Sequence, residues 1–307
     1  MIGVLTGFGI IGFVIAVGYL VQRVGILKAE AQVPLNRLAF FVTSPALLFT
    51  VLAKSDVRAL FSSYLLVTVL TVAIAVGLYV LASRIFFPRA VPETAVGASA
   101  SVHANANNIG LPVAIYVLGD AQLVAPLLLL QLIVLGPVVL TILDTSTRGK
   151  VSVRSFISQP VRNPIIIASM LGLVVALVGV PLPGAVLAPF ELVGAATIPL
   201  VLMTFGMSLV GQRALAAGTG RRDVITASVL KTVVMPLIAY LLGHFAFGLS
   251  GQPLFALVVL AALPTAQNVF NFASRYERGV IIARDTVLIT TIAAVPILIL
   301  IAALLAP

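Results

Sequence analysis

Two stretches of this chain concentrate polar chemistry inside otherwise apolar surroundings. Residues 101–112 carry His103, Asn105, Asn107, Asn108, Gly110 and Pro112, and residues 261–271 carry Pro264, Thr265, Gln267, Asn268 and Asn271. Side-chain amides and hydroxyls can donate and accept hydrogen bonds, and proline withholds a backbone donor and clashes with the carbonyl four residues earlier. Pro112 cannot donate to the carbonyl of Asn108, and Gly110 lowers the cost of leaving helical dihedrals, so the first stretch is expected to unwind near 108–112. Pro264 in the same way frees the carbonyl of Leu260. An interruption survives in hydrocarbon only where protein or a water-filled cavity satisfies the freed groups, since each unpaired one costs several kcal/mol. The half-helix beyond each proline starts with unsatisfied N–H groups and the positive end of a dipole, which suits an anion. Paired interruptions in two halves of a chain point to a transport site. Amides and hydroxyls also serve as plain interhelical contacts in membranes. That reading stays open for Asn105 and Asn271, while Asn107, Asn108, Gln267 and Asn268, beside the breaks, read as cavity or ligand groups.

The charged residues narrow the chemistry. All nine acidic residues, Glu30, Asp56, Glu93, Asp120, Asp144, Glu191, Asp223, Glu277 and Asp285, fall in loops or near the ends of apolar runs, none beside a break. A carboxylate proton relay, or a sodium site compensated by a carboxylate, would place one there. No metal site and no cofactor is expected, and coupling to protons or sodium stays unassigned. His103 is the titratable group near a break whose ordinary pKa lies near physiological pH. It is either a neutral histidine hydrogen-bonded inside the bundle or a proton-coupling group. Lys231 lies about 13 Å into its run at 1.5 Å per residue. It either snorkels to the cytoplasm or supplies positive charge to the substrate path or a lock on the moving part.

The elements that must hold these residues follow from composition. The chain has 307 residues, 61% hydrophobic and 9% charged, with a mean hydropathy of +1.21. That marks an all-α polytopic membrane protein, since a run of about 20 apolar residues spans a hydrocarbon core of roughly 30 Å. Ten such runs are expected, at 4–21, 33–53, 62–83, 93–119, 121–143, 163–180, 185–210, 223–247, 253–276 and 280–305. The first reads as a retained helix and not a signal peptide, for want of a charged leader and a cleavage pattern. No cysteine is present, so no disulfide or thiolate chemistry is available. With the amino terminus outside, Arg23, Lys28, Arg84, Arg89, Arg148, Lys150, Arg154, Arg162, Arg213, Arg221, Arg222, Arg275, Arg278 and Arg284 fall on one face and only Lys54 and Arg58 on the other. This is the asymmetry of cytoplasmic loops, so both termini are expected on the extracytoplasmic side and the longest loop, 144–162, inside. Arg37 reads as an interface anchor. The positive charge thus answers to the bilayer, and no nucleic acid partner is expected.

Ten spans divide into two sets of five in opposite orientation. Pro45, Leu48 and Thr50 recur at the same steps as Pro199, Leu202 and Thr204, and the prolines stand 67 residues before Pro112 and 65 before Pro264. Near-equal spacing of two such marks predicts an inverted repeat. Pro45 and Pro199 themselves are simple kinks or shape a cavity wall.

Asn107-Asn-Ile-Gly-Leu-Pro112, Ala262-Leu-Pro-Thr-Ala266, Asn36-Arg-Leu-Ala-Phe-Phe-Val-Thr-Ser-Pro45 and Leu230-Lys-Thr-Val-Val-Met-Pro236 resemble the marks of the auxin efflux carrier family, whose bacterial members include malate and malonate permeases. The resemblance covers essentially the whole chain. It implies that the fourth and ninth spans cross at Pro112 and Pro264 and that residues around the crossing hold an organic anion. It also implies a fold similar to the bile acid/sodium symporters. The scaffold would come from spans one, two, six and seven (1–56 and 150–212) and the mobile transport domain from the rest (57–147 and 220–307). It further implies a homodimer through the scaffold and a place in a bacterial inner membrane. The long central loop of plant members is short here, which makes auxin itself a doubtful substrate.

The function expected is therefore a secondary carrier of small organic anions working by alternating access, with a sodium-coupled bile-acid-type symporter or a non-transporting ligand sensor as alternatives. No nucleotide-binding P-loop, paired intramembrane aspartates, zinc motif or serine elbow occurs in the sequence, so an ATPase or intramembrane enzyme is not expected.

Overall fold

A computed structural model of the chain describes residues 2–55, 63–148, 163–179, 182–211 and 220–307. Among these the regular structure is helical, with no strand, and the extended pairing is a single antiparallel bridge between Ala104 and Thr265. Seven helical runs are long and apolar enough to cross a membrane: Thr6–Arg23, Ala29–Ala53, Tyr64–Phe86, Ala121–Thr147, Gly184–Ser208, Arg221–Ala246 and Val280–Leu305. The expected sixth span is the shorter helix Pro164–Val178, started by Asn163, whose side chain accepts from the amides of Ile165 and Ile166, and stopped at the left-handed Gly179. The expected fourth and ninth spans are each divided, into Val91–Val102 and Leu111–Tyr116 with a lead-in turn Ala106–Gly110, and into Gly251–Ala261 and Gln267–Tyr276.

The first interruption is not where the proline stands. Helix Val91–Val102 ends before His103, the chain leaves helical geometry over 103–105, and Pro112 lies inside the helix that follows. A five-residue wide turn explains the difference. Ala106–Gly110 is a π turn in which Leu111 donates to the carbonyl of Ala106, five residues back. The same device precedes Pro45, Pro137 and Pro236, at Ala39–Thr43, Gln131–Leu135 and Leu230–Val234. Widening the turn carries the ladder past the missing donor and moves the obstructing carbonyl away from the ring, so the helix continues. Pro199 stands differently, three residues into Thr197–Ser208, just after the one-residue break at Ala196.

Close backbone approach binds Thr6–Arg23 to Gly184–Ser208. A Cβ at Gly206 would overlap the carbonyl oxygen of Ile15, and one at Gly18 the carbonyl oxygen of Met203. Small residues at helix contacts are the usual way to gain packing where lipid offers no hydrophobic drive. The half-helix beyond the first break packs Ile109, Leu111 and Val113 into one cluster with Ile11, Leu48, Leu202, Phe205, Phe255 and Val259. Large apolar side chains such as Phe13, Leu20, Ile85, Leu177 and Leu304 face outward, as a lipid-facing surface requires.

At the end expected to face the cytoplasm, polar ties fix the helices that carry the breaks. Arg89 pairs with the buried carboxylate of Asp223 at 2.9 Å, Arg278 with Glu93 at 3.3 Å, and the Tyr276 hydroxyl donates to Asp144 at 2.8 Å. On the opposite face Lys54 pairs with Glu191 at 2.5 Å. The expected domain boundaries at 56/57, 150 and 212 lie outside the described residues. So do Asp56, Arg58, Lys150, Arg154, Arg162 and Arg213, and most of the long loop.

Candidate functional site

The two interruptions lie against each other. Asn105 donates its amide to the Pro264 carbonyl at 2.7 Å, and Ala266 donates to the His103 carbonyl at 2.9 Å. Because the pairing is antiparallel, the half-helices leave it in opposite directions, and their amino-terminal ends flank the paired residues from opposite sides.

Most freed backbone groups have identified partners, as a site buried in apolar surroundings demands. Thr265 donates its amide to the hydroxyl of Thr290 at 3.0 Å and its own hydroxyl to the carbonyl of Ala100 at 2.7 Å. His103 places Nδ1 at 2.9 Å from the hydroxyl and 3.2 Å from the carbonyl of Ser99. Lys231 donates from Nζ to the carbonyl of Ala261 at 2.7 Å. The backbone N–H groups of Asn107, Gln267 and Asn268 have no acceptor among the described residues. Three buried side-chain atoms are also without partners: His103 Nε2, Asn105 Nδ2 and Asn107 Oδ1. Unsatisfied polar atoms clustered at one break mark a place that water or a ligand completes.

The expected site residues divide by what they do. Asn105, Thr265 and Pro264 are buried and spend backbone or side chain on joining the breaks. Pro112 is buried in the continuing half-helix. Gly110 has ordinary helical dihedrals, so backbone freedom is not its use. Its missing Cβ admits Leu263, whose Cδ1 would otherwise stand 2.9 Å away. Asn107 and Asn108 are partly exposed and bonded to each other at 3.0 Å, and Gln267, Asn268 and Asn271 are exposed. Lys231 does not snorkel: it is 0% exposed.

A family model described as a membrane transport protein matches residues 8–153 and 144–302. The chain belongs to that family, the family of the auxin efflux carriers. It is 26% identical over 295 residues to an uncharacterized transporter of Methanocaldococcus jannaschii, covering 92% of each chain. It is 25% identical over 301 residues to the "Putative malonate transporter" of Rhizobium meliloti, covering 95% of this chain and 91% of the relative. It is 32% identical over 143 residues to "Probable auxin efflux carrier component 5c" of Oryza sativa, over 45% of this chain and 38% of that one.

In this auxin efflux carrier family member the helix after the second break shows residues that the sequence reading passed over. Gln267, Asn268, Asn271, Ser274 and Arg275 are exposed, while Val269, Ala273 and Tyr276 are buried. Their spacing of i, i+1, i+4, i+7 and i+8 forms one polar stripe from the break to the helix end. Such a stripe leading from a break suits a water-filled surface and not lipid. Ser274 and Arg275 continue it, and the period was readable in the sequence.

Proposed function

We propose that the chain is a secondary carrier of small organic anions, such as malonate or malate, working by alternating access. The observation that carries this reading is the antiparallel pairing of 103–105 with 264–266. It holds two half-helix amino-terminal ends at one place, with unpaired amides at Asn107, Gln267 and Asn268. Amide donors and converging helix dipoles recognise a carboxylate without a fixed counter-charge. Asn107, Asn108, Gln267 and Asn268 contact the anion, and Asn271, Ser274 and Arg275 line its exit. Asn105, Gly110, Pro112, Pro264 and Thr265 keep the breaks in register.

The architecture that fits is ten spans in two inverted repeats, with the scaffold in spans one, two, six and seven and the paired breaks in the moving part. Both termini are extracytoplasmic by the charge map, so the polar stripe descends toward the cytoplasm and the site is open inward. The membrane is a bacterial inner membrane, and a homodimer forms through the scaffold. Relatives named for malonate and auxin transport support an organic acid as cargo.

Proteoliposomes loaded with radiolabelled malonate test the reading. Wild-type protein exchanges the label, and Asn108→Ala and Asn268→Ala, folded and inserted, lose most of that exchange. Unchanged exchange in both variants moves the site elsewhere.

A further inference from the structure

Lys231 is the charge that the anion site does not use. It lies in the π turn Leu230–Val234, fully buried, with Nζ 2.7 Å from the Ala261 carbonyl and 3.4 Å from the Met235 sulfur. Among the described residues no carboxylate lies within 4.0 Å of it. Burial without a carboxylate is costly for an ammonium, so something else must favour it there.

Ala261 ends the helix Gly251–Ala261. In an unbroken helix its carbonyl would accept from the amide of Thr265, but that amide goes to Thr290. The carbonyl end of this half-helix is therefore left open, with the negative end of its dipole in a low dielectric. At the other broken helix the exposed carbonyl, that of Ala100, accepts from the Thr265 hydroxyl at 2.7 Å. Broken membrane helices often give such ends to a bound sodium ion or proton.

We infer that the Lys231 ammonium stands in place of a coupling metal cation at the carbonyl end of Gly251–Ala261, so that substrate binding is independent of sodium. The inference extends the anion-carrier reading. A fixed cation holds the carbonyl ends, which leaves the amino-terminal ends to the anion. A small cavity lined by Tyr64, Thr68, Thr71, Met235 and Ala261 carries three hydroxyls, and that of Thr71 is buried without a partner. Met235 and Ala261, which line it, are also the residues that Lys231 Nζ contacts.

The test uses purified full-length protein in sodium, choline and methylammonium chloride. Wild-type malonate affinity is expected to agree within about twofold in all three, and Lys231→Ala to bind about tenfold more weakly in choline and recover in methylammonium. Lys231→Met, which keeps the volume without the charge, is expected to stay weak in every medium. Wild-type binding that requires sodium overturns the inference, as does wild-type affinity in Lys231→Met. Thermal unfolding supplies an arm that needs no substrate. Methylammonium raises the midpoint of Lys231→Ala relative to choline and leaves wild type unmoved, and equal midpoints in the variant contradict the proposal. If wild type binds no malonate, the anion reading for that substrate fails while the thermal arm still judges Lys231.

Discussion

The hydroxyl of Thr265 donates to the backbone carbonyl of Ala100 at 2.7 Å, across 165 residues of sequence. Ala100 lies in the last turn of the helix before the first break, and Thr265 is at the centre of the second. One side chain therefore satisfies a carbonyl that the first break exposes while its own amide is held by Thr290.

Thr265→Val keeps the shape and removes that donor. It leaves a buried carbonyl unsatisfied, at about 1–3 kcal/mol. The expected outcome is a lower unfolding midpoint and weaker malonate binding together, read by thermal unfolding and equilibrium binding on one preparation. A midpoint equal to wild type would mean the two breaks do not depend on this bond.

Asn268→Asp and Asn268→Ala separate charge from hydrogen bonding. Asn268 is exposed as the second residue of its half-helix. If an anion binds beside it, the carboxylate variant is the weaker binder, and the gap between the two widens as salt is lowered. Equal affinities at low salt would place the anion beyond reach of this side chain.

The breaks were only partly legible in the sequence, and the reasons differ. The Pro264 interruption stands where proline chemistry puts it, because nothing widens the turn before it. The interruption assigned to 108–112 is at 103–105, since the π turn Ala106–Gly110 absorbs Pro112. What fixes the true position is pairing with 264–266, a tertiary contact without a local signal. Lys231 was readable as an anomaly of depth, but its partner Ala261 is 30 residues away. The polar stripe through Ser274 and Arg275 did have a signal, the helical period itself, hidden because Arg275 also fits a cytoplasmic helix end.

Asp223 gives a stability prediction away from the site. Its carboxylate is buried at 0% exposure against Arg89. Arg89→Met strands that charge and is expected to destabilise by about 3–5 kcal/mol, whereas Arg89→Met with Asp223→Asn recovers much of the loss. Unfolding midpoints of the two single variants and the double variant provide the cycle. Additive losses would show that the pair is not coupled.

Gly206→Ala addresses the packing of Thr6–Arg23 on Gly184–Ser208. Its Cβ meets the carbonyl oxygen of Ile15, a backbone atom that cannot turn aside. The expected cost is about 1–3 kcal/mol, seen as a lowered midpoint with malonate affinity unchanged in the folded fraction. Wild-type stability would mean the helices can separate at no cost.

The central claim is that an anion sits at the paired breaks. The chain has no cysteine, so Asn268→Cys introduces a single thiol there, and its rate of modification by a charged, membrane-impermeant reagent reports on the site. Malonate is expected to slow that modification in a saturable manner, with no effect on Lys28→Cys, an exposed position in the turn after the first helix. Modification at the same rate with and without malonate, in protein that binds it, would contradict the account.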